Sequence, residues 1–121
     1  MSFVLPAFLL FVICAPASLA QDINWASLNL SSEQRSTMTQ YESEWERMCA
    51  QLLPQIDQDK TELMSLLNSP NSDPQRIMEL KKRISDNKSK LENKSLEVFL
   101  NKKKQLSPGQ LQKLQKQMKN F

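Results

Sequence analysis

The sequence predicts an all-α protein. The chain of 121 residues contains 40% apolar residues, 24% charged residues and a single Gly, a composition typical of one small helical domain. After position 30, apolar residues recur at spacings of three and four, which places them along one face of a helix. No segment alternates apolar and polar residues as a strand does. We therefore expect four helical segments, over residues 32–53, 55–68, 74–105 and 108–120.

The first 20 residues differ from the rest because they carry no charge. Residues 3–15 are almost continuously apolar, but this run is shorter than the ~20 residues needed to span a bilayer. It is followed by Ser18-Leu19-Ala20, whose small residues suit signal-peptidase cleavage before Gln21. We expect residues 1–20 to be a signal peptide and residues 21–121 to be the exported domain. The lack of Lys and Arg in this segment leaves a retained anchor as the alternative.

Cleavage at this point would leave Cys49 as the only cysteine of the exported domain. A single cysteine forms no intramolecular disulfide, so packing alone would have to hold the fold together. We expect Cys49 to be a small, inert helix residue. An intermolecular disulfide across a dimer is the alternative.

The first helical stripe alternates spacings of three and four residues, as expected for one face of a helix. Its members are Met38, Tyr41, Trp45, Met48 and Leu52. Pro54 lacks an amide hydrogen and crowds the carbonyl four residues earlier, so a kink or a short break is expected there. The stripe resumes beyond Pro54 and continues to Leu67.

A hairpin turn is expected between residues 68 and 74, which are rich in turn formers. Asp73 and Pro74 are typical of an N-cap followed by proline at the first helical position. The helix after this turn would measure roughly 45 Å at 1.5 Å per residue. Its apolar stripe consists of Ile77, Leu80, Ile84, Leu91, Val98 and Phe99.

The most specific feature of the sequence is a repeated motif, Leu-Ser-x-x-Gln, at the start of the first and the last helix. The two copies are Leu30, Ser31 and Gln34, and Leu106, Ser107 and Gln110. Each copy is a capping box, in which the serine hydroxyl accepts from the N3 amide and the glutamine side chain returns to the N-cap amide. In the second copy Pro108 occupies the first helical position.

This pair of motifs resembles the LTxxQ-motif periplasmic proteins, the Spy/CpxP chaperone family with its ZraP-like metal-responsive relatives. The family commonly has Thr where Ser31 and Ser107 stand, and the resemblance covers residues 30–118. It implies a periplasmic, thin, cradle-shaped antiparallel homodimer that works without nucleotide or cofactor and binds unfolded client proteins. Gly109 departs from the family, which often has Glu there, and should weaken the helix start.

The resemblance leaves two further functions open: an envelope-stress regulator that binds a sensor-kinase domain, and a heavy-metal sensor. The chain has no His, and Glu42 and Glu46, four residues apart, more often form a solvated acidic face than a metal site. An enzyme is not expected, because the chain has no His base, no Gly-rich phosphate loop and no nucleophile with an activating partner.

Charge divides the chain into an acidic and a basic part. Residues 22–75 carry three Lys or Arg against nine Asp or Glu, and residues 76–121 carry thirteen against four. Opposite charges favour antiparallel packing of the two parts. Because thin helices leave apolar stripes uncovered, we also expect a homodimer.

Basic residues interleaved with apolar ones suit a loose chaperone site, since long-range charge speeds encounter and scattered apolar groups give weak contact. The expected client-binding surface consists of Lys81, Ile84, Lys88, Lys90, Leu91, Lys94 and Phe99. The alternative is a solvated basic face that keeps the protein soluble. A nucleic-acid partner is not expected, because Phe99 and Phe121 are the only aromatic residues of the basic part, and no membrane partner is expected after signal cleavage.

Overall fold

The computed structural model describes residues 23–119 and is helical over most of them. A short 3-10 helix, Trp25–Leu28, precedes three α-helices: α1, Ser32–Leu67; α2, Pro74–Lys104; and α3, Pro108–Met118. Residues 23–119 contain no strand, so the all-α prediction is confirmed. The predicted signal peptide and Phe121 lie outside the described residues. No helix in the described part of the chain is long and apolar enough to cross a membrane.

The sequence predicts a kink or a break at Pro54, and the break does not occur, because helix α1 continues through Pro54. The helix has 36 residues, so one helix stands where two were expected. Proline inside a helix costs about 3 kcal/mol. Leu52, Leu53 and Ile56, which lie on either side of Pro54, are all buried. Each contributes roughly 1.5–3 kcal/mol when fully buried, so packing outweighs the local cost of the proline.

Helices α1 and α2 form an antiparallel hairpin joined by the turn at residues 68–73. At the start of α2, the Asp73 carboxylate accepts a hydrogen bond of 3.0 Å from the amide of Gln75, and Pro74 is the first helical residue. The helix start has the N-cap and proline arrangement expected from the sequence. We call this end of the molecule the hairpin tip.

Two apolar clusters hold the molecule together. The first lies between α1 and α2 and contains Trp45, Cys49, Leu52, Leu53, Ile56, Ile84, Leu91 and Val98. The second contains Ile23, Leu28, Met38, Phe99, Leu106 and Leu114. The second cluster joins the 3-10 helix, the start of α1, the end of α2 and α3, so it closes the end of the molecule opposite the hairpin tip. We call residues 23–42 and 98–119, which build this end, the closed end.

Cys49 is buried in the first cluster and is disulfide-bonded in the structure. No free cysteine occurs in the described part of the chain. The expectation of an unbonded, inert cysteine was made for a domain cleaved before Gln21, which would lack Cys14. It stays a prediction for that domain. The only other cysteine of the sequence, Cys14, lies outside the described residues.

Ion pairs connect the acidic α1 to the basic α2 in antiparallel order. The pairs are Glu62–Arg76 at 2.7 Å, Asp59–Arg83 at 2.9 Å, Glu44–Lys94 at 3.1 Å and Glu42–Lys102 at 2.8 Å. Positions on α1 fall as positions on α2 rise, which agrees with the packing expected from the charge division. Asp59 and Lys102 are buried, whereas both members of the Glu62–Arg76 pair are partly exposed, and exposed pairs contribute about 0–1 kcal/mol.

Candidate functional site

Both Leu-Ser-x-x-Gln motifs form capping boxes. In the first copy, the amide of Gln34 donates to Ser31 Oγ at 3.1 Å and the amide of Ser31 donates to Gln34 Oε1 at 2.9 Å. In the second copy, the corresponding distances for Ser107 and Gln110 are 3.3 and 2.9 Å. Each box therefore satisfies two amides that the start of a helix would leave unpaired.

The two capping boxes also bind each other. Gln34 Nε2 donates to Gln110 Oε1 at 2.9 Å, and Gln110 Nε2 donates to Gln34 Oε1 at 3.1 Å. Each Nε2 also donates to a backbone carbonyl of the other motif, at Gln105 for Gln34 and at Asn29 for Gln110. Asn29 and Gln105 both stand two residues before their serine, so the two motifs are related by an approximate two-fold symmetry. We call the pair Gln34 and Gln110 the glutamine clasp.

A third glutamine ties α3 to the 3-10 helix. Gln117 Oε1 accepts from the amide of Asn24 at 2.8 Å, while Gln117 Nε2 donates to the Asn24 carbonyl and to Ser27 Oγ. Sequence reasoning missed this residue. Its spacing of seven from Gln110, which places both on one face of α3, was the available signal.

Lys102 is buried within the closed end, although its position in a lysine run is typical of a solvated face. Its side chain is 3% exposed, and Nζ lies 2.8 Å from Glu42 Oε1. Nζ also lies 5.1 Å from the centroid of the Trp25 ring, within the range of a cation–π interaction. The Trp25 ring packs against Phe99 with centroids 6.1 Å apart. Lys102 therefore belongs to the packing of this end.

The expected client-binding surface is not formed as one surface. Ile84, Leu91 and Phe99 are all buried in the two clusters, which corrects their assignment to client contact. Their spacing marks the face of α2 that packs on the rest of the molecule. Lys81, Lys88 and Lys90 are exposed.

Lys94, the remaining member of that set, is bound by carboxylates. Its Nζ lies 3.1 Å from Glu44 and 3.4 Å from Glu97. The hydrogen bond with Glu44 raises the pKa of Lys94 above its usual value. Lys94 therefore acts in the pairing of α1 with α2.

Apolar side chains are exposed instead on the opposite side of α2. Leu96 and Leu100, one turn apart, are 49% and 45% exposed, and Met78 is 64% exposed. Met78 precedes Leu96 by 18 residues, which is five turns at 3.6 residues per turn, so both lie on the same face. Exposed Ser85 and Ser89 lie between them on that face. We call this set the outer α2 face.

Further apolar side chains are exposed at the hairpin tip. Met64 and Leu67, near the end of α1, are 57% and 56% exposed. Nearby, Arg76 donates two hydrogen bonds to Glu62, at 2.7 and 3.0 Å. These bonds lower the pKa of Glu62 and raise that of Arg76.

Asp59 is buried on α1, and its Oδ1 accepts from Arg83 at 2.9 Å. Its Oδ2 is buried and has no hydrogen-bond partner among residues 23–119. Within the same range, no group of three or more His, Cys, Asp or Glu residues is arranged to hold a metal ion.

The candidate functional features of the described part of the chain are two uncovered apolar areas, the outer α2 face and the hairpin tip, and the basic helix α2.

No family model, curated protein or solved structure matches the chain. The resemblance to the Spy/CpxP family therefore rests on the sequence motifs alone.

Proposed function

We propose that this chain is an ATP-independent periplasmic chaperone that binds unfolded or stressed envelope proteins. The observation that carries the proposal is the outer α2 face, where Met78, Leu96 and Leu100 are exposed on a strongly basic helix. Helix α2 contains ten Lys or Arg against four Asp or Glu. Lys81, Lys82 and Lys88 are exposed and border this face at 100° per residue.

This combination suits a client that has no fixed structure. Long-range attraction to the lysines would raise the rate of encounter with an acidic segment. Ser85 and Ser89 separate Met78 from the neighbouring pair Leu96 and Leu100, so the apolar contacts would be dispersed along the helix. Weak, dispersed contact favours release, which a chaperone without a nucleotide cycle requires.

The proposal includes the cradle-shaped antiparallel homodimer implied by the resemblance. Support comes from the thinness of the fold, since two helices packed on each other leave the outer side of each without cover. Sedimentation at micromolar concentration would measure the oligomeric state directly. A monomer whose helicity survives dilution would contradict the dimer.

The envelope-stress regulator stays an alternative, because an acidic sensor-kinase domain would also be attracted to α2. The heavy-metal sensor is the second alternative. Each alternative makes a prediction that differs from that of a chaperone. A regulator would leave the aggregation of an unfolded client unchanged. A metal sensor would lose its suppression of client aggregation when a chelator is added.

Light scattering of a reduced or acid-denatured client tests the chaperone proposal, without nucleotide and with chelator or zinc in parallel samples. The test variant is Leu96→Ser with Leu100→Ser, which we expect to weaken suppression of aggregation. The matched variant, Leu96→Met with Leu100→Met, keeps the apolar area and should retain suppression. Absence of suppression by the parent protein in every sample would contradict the proposal.

A further inference from the structure

The net positive charge of the described chain is concentrated at the closed end. Residues 23–42 and 98–119 carry seven Lys or Arg against two Asp or Glu, a net charge of +5. Residues 43–97, which form the rest of the hairpin, carry nine against ten, a net charge of −1. The molecule is therefore electrically polar along its long axis, which the division of the sequence into two halves does not reveal.

Five exposed lysines produce most of this charge. Lys102 is buried and paired with Glu42, so it contributes little to the positive charge on the surface of the closed end. The exposed lysines are Lys103, Lys104, Lys113, Lys116 and Lys119. None of the five forms a salt bridge with another residue of the described chain. We call this set the lysine end.

The fold holds the five lysines together at one end. Lys103 and Lys104 belong to the last turn of α2, and the other three follow on α3 or directly after it. The glutamine clasp fixes the start of α3 to the start of α1, and Gln117 fixes its last turn to the 3-10 helix. Residues 98–119 contain no Asp or Glu, so nothing within that stretch neutralises the lysines.

We propose that the lysine end binds the phosphate headgroups of an anionic lipid surface, without insertion of a helix. Each lysine close to such a surface adds to the attraction between protein and lipid, and this attraction does not require the protein surface to match the lipid surface in shape. It needs several uncompensated charges on one end of the molecule, which is what the closed end provides. This proposal does not depend on the chaperone function.

The composition of the lysine end favours a lipid surface over a protein or a nucleic acid. Protein interfaces are depleted in Lys and depend on Trp, Tyr and Arg anchors. Proteins that bind single-stranded DNA or RNA stack the bases on exposed aromatic rings. Here Trp25 and Phe99 pack against each other, and Trp25 lies under Lys102. The outside of this end therefore carries five lysines without an exposed stacked aromatic pair, and its large exposed apolar side chains are Leu100 and Met118, 45% and 37% exposed.

The connectivity of the chain adds a second argument. The described chain enters the closed end at Ile23, and Gln21 and Asp22 separate it from the uncharged segment 1–20. In a chain whose segment 1–20 is held in a bilayer, with Cys14 and Cys49 not joined, the five lysines would lie beside the lipid. The hairpin tip would then point away, roughly 45 Å from the lipid along α2. This inference differs from the sequence-based expectation that no membrane is a partner after signal cleavage.

Sedimentation of the full chain with phosphatidylcholine vesicles, with and without phosphatidylglycerol, tests the proposal. The neutral vesicles report any binding by the apolar segment, so the difference between the two vesicles reports charge. We expect tighter binding to the anionic vesicles, weakened when salt is raised above about 0.15 M. Changing all five lysines of the lysine end to Gln should reduce binding to the anionic vesicles at least about tenfold.

Two further variants control for net charge and for folding. The first changes five exposed lysines outside the closed end to Gln: Lys60, Lys81, Lys82, Lys88 and Lys90. It removes the same charge and should reduce vesicle binding less than about threefold, because acidic residues surround these positions. The second changes the lysine end to Arg and should retain binding. Circular dichroism would verify the helicity of each variant.

Three results would overturn the proposal. The first is equal binding of the parent to neutral and anionic vesicles at low salt. The second is an equal loss in the two Gln variants, which would assign the effect to net charge alone. The third is binding to duplex DNA or polyglutamate without binding to the anionic vesicles, which would assign the lysine end to another polyanion.

Discussion

Gln34 and Gln110 exchange two side-chain hydrogen bonds, of 2.9 and 3.1 Å, although they are 76 residues apart in the sequence. Each amide oxygen also accepts from the serine amide of its own capping box. Each amide nitrogen also donates to a backbone carbonyl of the other motif. The same two side chains therefore cap two helices and fasten α3 to α1.

Removal of the glutamine clasp should show coupling between its two members. We expect Gln34→Ala and Gln110→Ala each to lower the free energy of unfolding by about 1–3 kcal/mol, because each leaves part-buried polar groups without partners. The double variant should cost less than the sum, with a coupling of about 0.5–3 kcal/mol. Urea denaturation measures all three values. Gln112→Ala, at an exposed position on α3, should change stability by less than about 0.5 kcal/mol. A double variant that costs the full sum of the two single variants would contradict the glutamine clasp.

The two cap serines should have similar energetic roles. Ser31→Ala and Ser107→Ala each remove an acceptor for a helix amide, so we expect each to cost about 1 kcal/mol. Glycine at either position should cost less, since it suits the extended backbone of an N-cap. Ser36→Ala, at an exposed position inside α1, serves as the control and should be neutral or slightly stabilising. Thermal melting measures these losses of stability. Alanine variants that melt at the same temperature as the parent protein would contradict the capping role of the two serines.

The capping boxes were predictable from the sequence because all their hydrogen bonds lie within four residues. The glutamine clasp was not, because it depends on how the closed end brings residues 34 and 110 together. Pro54 shows the converse case. Local propensity favours a break there, but the burial of Leu52, Leu53 and Ile56 is a tertiary effect that spacing alone does not measure.

The burial of Ile84, Leu91 and Phe99, three members of the expected client-binding surface, was not predictable for a similar reason. Ile84 and Leu91 were correctly placed on a helical stripe, but a stripe does not reveal whether it meets its own chain or a partner. The structure shows that it meets α1. Leu96 and Leu100 break the stripe, and their exposure identifies the outer face. The division of charge, by contrast, predicted the antiparallel order of α1 and α2 because four ion pairs follow it.

The Glu62–Arg76 pair predicts a specific pH response. Hydrogen bonding to Arg76 holds the pKa of Glu62 below its ordinary value of 4.5. A carboxyl whose pKa is lowered by folding stabilises the fold above its unfolded pKa, and this stabilisation is lost as the pH falls through the folded value, below about 4.5. Arg76→Gln should return the pKa of Glu62 towards 4.5, as followed by NMR titration. Lys90→Gln, elsewhere on α2, should leave it unchanged. A Glu62 titration that is the same in both variants would contradict this account.

Leu91 and Leu96, five residues apart on α2, separate stability from client binding. Leu91 is 6% exposed and packs against α1, whereas Leu96 is 49% exposed. We expect Leu91→Ser to cost at least about 2–5 kcal/mol, the range for truncating a buried leucine, because it also buries a hydroxyl. Leu96→Ser should cost less than about 0.5 kcal/mol. Denaturant unfolding measures both costs, and light scattering of a denatured client measures suppression of aggregation. At a temperature where both variants are folded, Leu96→Ser should show the weaker suppression. The opposite order would place the client on the buried stripe and would require the hairpin to open before a client binds.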